Sequence, residues 1–200
     1  MARLIALGRV DYREGWARQQ EELTAVIDGA ENAVILCEHE PVYTLGRKRG
    51  ASANVLDAGD TPVIEVERGG DVTWHGPGQL VVYPVLRLEG AARDLHAHLQ
   101  RLEDLAIEVC GALGLPAGRD ERNTGAWIRG RKVCSIGVAC RRWVTWHGLA
   151  LNVNPDLSAF RRINPCGFDS AVMTSVSEEL GRDVGVGEVE GLVAERVRGW

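Results

Sequence analysis

Five side chains in this sequence stand where chemistry is possible: Cys166, Lys132, Cys134, His75 and His147. Cys166 lies between Pro165 and Gly167, in a turn and not in an apolar strand, a setting that leaves a thiol both exposed and held still. A free thiol has a pKa of about 8.5, so little of it is thiolate at neutral pH, and a nearby cation raises that share. Lys132 is the candidate cation. It opens the stretch Lys132-Val133-Cys134-Ser135-Ile136-Gly137, and a lysine at the mouth of an apolar pocket either stabilises a thiolate or accepts a proton. Only Lys48 and Lys132 are lysines among many arginines, which favours a role for an amine at 132. Cys134 is the rival thiol. Two residues along a strand from Lys132, it is expected on the same face, but a mid-strand cysteine is more often core, and local setting favours Cys166. His75 and His147 could bond a thioester or orient a nucleophile; each taken alone also fits a satisfied structural residue. The sequence has no carboxylate pair, no P-loop lysine and no metal-ligand spacing.

The stretch Arg68 to Pro84 surrounds His75 with bare backbone. Gly69-Gly70 and Gly76-Pro77-Gly78 allow a ligand close to the main chain, while Pro77 stiffens the turn. Val63 to Val66 and Leu80 to Leu86 are predicted strands on either side, so the segment is expected to be a shaped loop carrying Arg68, Thr73 and His75. A plain surface turn is the alternative.

Composition narrows the setting. Two hundred residues, 45% hydrophobic and 26% charged, suit a single globular domain over 1–200 with a sizeable core. The net charge of -5 disfavours nucleic acid as a partner. No membrane-length run or signal pattern is present, which places the chain in the cytoplasm and off the membrane. Five cysteines without CxxC spacing argue against a disulfide framework or a structural zinc.

Elements that must position these residues follow from caps and periodicity. Leu4 to Leu7 is a predicted strand, and Asp11 caps a helix running to about Ile27. Ala33 to Cys37 is a short apolar strand ended by Pro41, followed by Val42-Tyr43-Thr44-Leu45-Gly46 and a basic Arg47-Lys48-Arg49-Gly50 turn; residues 51–61 form a small-residue loop expected to be mobile. Asp94 caps the clearest helix, with Leu95, Leu99, Leu102, Ala106, Val109 and Leu113 at helical spacing until Gly114. His96 and His98 within it are expected in solvent. Residues 125–153 form a predicted β-meander, and Glu188 to Val197 a closing amphipathic helix. Antiparallel hairpins separated by long helices indicate an α+β fold.

Together the motifs are specific. Arg68-Gly69-Gly70-x-x-Thr73-x-His75-Gly76-Pro77-Gly78-Gln79, with Tyr83-Pro84, resembles the signature of the octanoyltransferases of lipoate biosynthesis. The resemblance continues in order through Gly125-Ala126-Trp127, Lys132 with Ser135-Ile136-Gly137, His147 to Val153, and Pro165-Cys166-Gly167; Gly46 and Glu178-Glu179-Leu180-Gly181 fit as well. It implies the fold of biotin and lipoate protein ligases (class II synthetase-like), a mixed, mostly antiparallel sheet flanked by helices. It also implies octanoyl transfer from octanoyl-acyl carrier protein to a lysine of lipoyl domains, those of 2-oxo acid dehydrogenases or the glycine-cleavage H protein. Cys166 would be the nucleophile and Lys132 its activating partner. Substrate contacts would fall on Arg68, Gly69, Gly70, Asp71, Val72, Thr73, Trp74 and His75, on Ser135, Ile136 and Gly137, and on Gly148, Leu149 and Ala150, with His147 a possible addition. No cofactor or metal is expected, and a monomer is the default. Arg47-Lys48-Arg49, Arg141-Arg142 and Arg161-Arg162 offer basic faces to an acidic carrier, or are plain solvated surface. The competing readings are an ATP-dependent ligase of the same fold, a non-catalytic acyl- or carrier-binding protein, and a cysteine hydrolase.

Overall fold

The computed structural model describes residues 1–200 in full except for the side chain of Cys166. Its centre is a seven-stranded sheet built from β1 (Arg3–Val10), β2 (Ala33–His39), β6 (Gln79–Val85), β7 (Ala117–Gly118), β8 (Gly125–Ile128), β9 (Arg131–Arg141) and β10 (Val144–Asn152). The spatial order is β1-β2-β6-β10-β9-β8-β7, antiparallel throughout save for the β1–β2 pair. The expected meander is therefore present. A second sheet of three strands, β3 (Val42–Leu45), β4 (Val63–Glu65) and β5 (Val72–His75), has the order β4-β3-β5.

The third of these corrects an expectation. The segment from Arg68 to Gly78 is not all loop: Val72, Thr73, Trp74 and His75 pair antiparallel with β3. β-branched and aromatic residues favour such a pairing, and residues 68–71 and 76–78 on either side stay outside the strand.

Side chains alternate across a strand, and here the two faces of the large sheet differ. Leu80 and Val82 of β6, Leu149 and Leu151 of β10, and Cys134 of β9 share a buried core with Leu102, Leu105 and Val109. Those last three belong to α2 (Leu95–Ala112), and α4 (Val186–Val197) closes the layer with Val189, Val193 and Val197. The Asp94 side chain accepts hydrogen bonds from the amides of His96 and Ala97, a cap that contributes about 1 kcal/mol. Along the other face lie Val81, Tyr83 and Ala150, covered by Leu23 and Val26 of α1 (Tyr12–Ile27). The small sheet meets this face where the Gly69 amide donates to the Val138 carbonyl at 2.9 Å.

Two further expectations change. His96 is exposed as expected, but His98 is buried on α2, where burial holds its pKa down to about 4. The loop 51–61 begins with a 3-10 turn, Ala51–Asn54, and is pinned: the Leu56 amide donates to the Arg162 carbonyl at 2.9 Å.

Candidate active site

A narrow cavity runs between the second face of the large sheet and the segment Arg68 to His75, with about 620 Å³ of empty space including its open mouth. Its floor is Ser135 and Gly137 of β9, Gly148 and Ala150 of β10, and Val81 and Tyr83 of β6. Gly148 pairs with Gly137, and Ala150 with Ser135 and Val81, so the small side chains of Ser135, Gly137, Gly148 and Ala150 line up as a trough, with the Tyr83 ring beside it. Gly137 is needed for the roof to come down: a Cβ there would stand 2.8 Å from the Gly69 carbonyl oxygen and 3.0 Å from Arg68 Cδ.

Lys132 lies at one end of the trough, 3% exposed. Its Nζ donates to Asn123 Oδ1 and stands 5.5 Å from the centre of the Trp127 ring. Gly125 makes room for its stem, since a Cβ at that residue would come within 2.8 Å of Lys132 Cε. Pro165, from the 3-10 turn Pro165–Gly167, also lines the cavity. The side chain of Cys166, the expected nucleophile, lies outside the described residues.

Cys134 does not share a face with Lys132. Ala126 pairs with Cys134 and Trp127 with Lys132, so Val133 is an extra residue on β9. Such a bulge re-aims the side chains on either side of it. Lys132 turns to the cavity, while Cys134 is fully buried in the α2-side core, where burial first of all pushes its thiol pKa far up.

The loop residues divide. Arg68, Gly70, Asp71, Val72, Thr73 and His75 line the cavity; Gly69 and Trp74 do not. Trp74 turns the other way and packs edge-on against Phe160, ring centres 5.6 Å apart. Asp71 is held by Lys48 Nζ at 2.8 Å and by Asn54 Nδ2. Burial opposes its charge, but these bonds and the Val72 amide outweigh that and lower its pKa. Ser135, Ile136, Gly137, Gly148, Leu149 and Ala150 all line the cavity.

Both histidines line the cavity, and both are buried and held by their surroundings. His147 pairs with Val138, six residues along β9 from Lys132, which is roughly 15 to 20 Å of strand. That is too far for one acyl carbonyl to touch both. His147 sits at the far end in a left-handed backbone conformation (φ 54°), its Nε2 3.7 Å from Glu67 Oε2. Burial, with Arg68 nearby, holds its pKa at about 3. Both ring nitrogens of His75 are engaged by the protein, with Gln79 Oε1 at 2.7 Å and Thr44 Oγ1 at 3.3 Å. Burial, then the charges of His39 and Arg68, keep it neutral.

Sequence reasoning missed Tyr12, Val81 and Tyr83 in the lining. Tyr12 and Tyr83 join His39 and His75 in an aromatic cluster with ring centres 5.0 to 5.9 Å apart. Tyr83 was legible beside Pro84 in the motif; Tyr12, distant in sequence, gave no such signal. Among the described residues no group of three or more His, Cys, Asp or Glu side chains could hold a metal.

The arrangement is a narrow, largely apolar trough with the Lys132 amine at one end. Residues 11–198 match the lipoyl protein ligase A/B catalytic domain family. The chain is 49% identical over 191 residues to an octanoyltransferase of Geobacter metallireducens, covering 95% of this chain and 89% of that one. It is 46% identical over 194 residues to an octanoyltransferase of Mycobacterium tuberculosis, covering 96% and 83%. In fold it resembles a lipoate-protein ligase A crystallised with ATP (TM-score 0.77, 16% identity, 97% of this chain and 83% of that one). It also resembles the biotin protein ligase of Aquifex aeolicus (TM-score 0.57, 16% identity, 98% and 67%). The chain belongs to the lipoyl protein ligase A/B catalytic domain family and, within it, to the octanoyltransferases, acyl-transferring enzymes of protein lipoylation.

Proposed function

We propose that residues 1–200 form one catalytic domain that moves an octanoyl group from octanoyl-acyl carrier protein to a lysine of lipoyl-domain proteins, through a thioester on Cys166. The observation that carries this reading is the trough itself: small side chains over one strand length, ending at the buried Lys132. In the first step the Cys166 thiolate attacks the donor thioester, the new C–S bond forms, and the carrier thiol leaves with a proton. In the second, the acceptor amine attacks, an amide forms, and the Cys166 thiol is released. Thioester exchange is nearly isoenergetic and amide formation runs downhill, so no nucleotide is required. Dividing the transfer lets each partner protein bind in turn. Lys132 supports thiolate formation, as a cation or as the proton acceptor. Arg68 to Thr73 roof the acyl chain.

Each buried methylene is worth about 0.8 kcal/mol, so the slot can select by chain length. Arg47, Arg49, Arg141, Arg142, Arg161 and Arg162 are exposed and offer positive charge to an acidic carrier. No described helix is long and apolar enough to cross a membrane; the proposed setting is the cytoplasm, and the proposed state a monomer. The test is octanoylation of a purified lipoyl domain from octanoyl-acyl carrier protein in ATP-free buffer. Acceptor gain of one octanoyl group supports the proposal. Modification only with free octanoate and ATP would replace it by a ligase, and release of free octanoate ahead of transfer by a hydrolase.

A further inference from the structure

Beneath the cavity roof runs a column of buried polar side chains that the proposed chemistry does not use. Thr44, His75, Gln79, Asn152 and Thr174 are all buried, and Gln79 and Asn152 are each 1% exposed. Polar groups are kept in such a place only when their hydrogen bonds are made, and here the bonds define a direction.

A backbone carbonyl can act in one way only, as an acceptor. The Thr174 carbonyl accepts from Asn152 Nδ2 at 3.0 Å, which fixes the Asn152 amide: reversed, two acceptors would face each other. Asn152 Oδ1 is then the acceptor for Gln79 Nε2 at 2.9 Å. The Trp74 carbonyl, 3.2 Å from the same Nε2, fixes the Gln79 amide independently. Gln79 Oε1 therefore accepts, and His75 Nδ1, 2.7 Å away, carries the proton. With the ring neutral, Nε2 is the acceptor, for the Thr44 hydroxyl at 3.3 Å. That hydroxyl has one proton to give, and its oxygen receives Arg68 Nη2 at 2.8 Å. Every donor points the same way, from the guanidinium to the Thr174 carbonyl. The Thr174 amide then donates to the Lys132 carbonyl at 3.0 Å.

We infer that Gln79 and Asn152 are positioning residues, carrying a one-way chain of hydrogen bonds from Arg68 in the cavity roof to the backbone that holds Lys132. Successive bonds in such a chain polarise one another and select a single arrangement. The roof and the lysine thus keep one relative position, and His75 is held as the Nδ1-protonated tautomer. The groups around that ring are consistent with it: Tyr12 stacks on it at 5.9 Å, His39 meets it edge-on at 5.9 Å, and Arg68 and His147 act on it through space. The role of the chain in turnover rests on the octanoyltransferase reading; the tautomer does not.

The experiment combines histidine ¹⁵N NMR with steady-state kinetics. In the wild type the His75 ring should show a protonated Nδ1 and a bare Nε2, unchanged between pH 5 and 8. Gln79→Glu keeps the acceptor for His75 but offers no amide to Asn152, so the ring should gain a second proton and titrate within that range. Gln79→Met, similar in length, and Thr44→Val, similar in shape, should each lower kcat on the order of tenfold or more, the effect of one lost buried hydrogen bond. KM for the octanoyl donor should stay within about twofold, as for a lost transition-state interaction and not lost binding. An Nε2-protonated ring, a wild-type ring titrating near the ordinary histidine value, or unchanged kcat in both variants would overturn the inference. The ring measurement needs no substrate, so it decides the chain's direction even where the transfer assay fails.

Discussion

The two faces of the large sheet are made by alternate residues of the same strands, yet they do opposite things. On the α2 side, Leu80, Val82, Leu149 and Leu151 fill space against helices. On the other, Gln79, Val81, Tyr83, Ala150 and Asn152 alternate with them: Val81, Tyr83 and Ala150 line a trough, and Gln79 and Asn152 hydrogen-bond to each other outside its lining. One face is stabilised by burial of apolar area; the other gives up some of that burial to hold a shape. Stability and activity should therefore respond separately to substitution on the two faces.

The largest separation is expected at Lys132. Lys132→Met keeps the stem and removes the amine, and should cut octanoyl transfer on the order of 10³-fold, the scale of a lost proton-transfer group. The melting temperature should hold to within a few degrees. A variant retaining a tenth of wild-type rate would remove Lys132 from the chemistry. The mirror experiment is Leu151→Ala on the helix side. It should cost about 2 to 5 kcal/mol in denaturant unfolding, lowering the melting temperature roughly 2 to 4 °C per kcal/mol. Turnover at 25 °C should stay within about twofold.

Ala150→Leu sharpens the comparison from the cavity side. It fills the trough on the face away from α2, and should shift preference from octanoyl towards hexanoyl by roughly tenfold, from about 0.8 kcal/mol per excluded methylene. Competition between the two acyl carriers, read by acceptor mass, measures the ratio. An unchanged ratio would mean the chain lies elsewhere.

Acid should also act unequally. His39 and His98 are held at about 4 by burial, well below the ordinary value near 6.5. Below pH 6.5 the unfolded chain takes up protons that the folded one refuses. The stability they contribute is therefore full above 6.5 and falls with acid until about pH 4, by roughly 1.4 kcal/mol per pH unit for each. Chemical denaturation at pH 7 and 5 should show this loss, and His98→Leu should reduce its slope by one proton. The smallest effect is expected at Cys134→Ala, about 1 kcal/mol of stability with acyl transfer unchanged.

Much of the molecule was legible in the sequence because local signals agreed with packing. Asp11 and Asp94 cap their helices as read, and the hairpins of 125–153 lie where turn residues put them. Of the residues the motifs single out, Lys132 and most of 68–75, 135–137 and 148–150 line one cavity; Gly69 and Trp74 do not, and the Cys166 side chain lies outside the described residues. What escaped notice depends on pairing between distant segments. The Val133 bulge that separates Lys132 from Cys134 is a mismatch between two strands and leaves no mark in either alone. β5 required β3 as partner. His98 looked like a surface residue because helical spacing does not say how far a neighbouring element reaches. Tyr12 reaches the cavity only because α1 lies over β6.

The proposed chemistry requires a thiol within reach of Lys132, and intact-protein mass tests it most directly. Wild type incubated with octanoyl-acyl carrier protein and no acceptor should gain one octanoyl group, removable by hydroxylamine, and Cys166→Ser should gain no such hydroxylamine-labile group. A labile octanoyl group that persists in Cys166→Ser, or no covalent species in a wild type that still transfers, would contradict it.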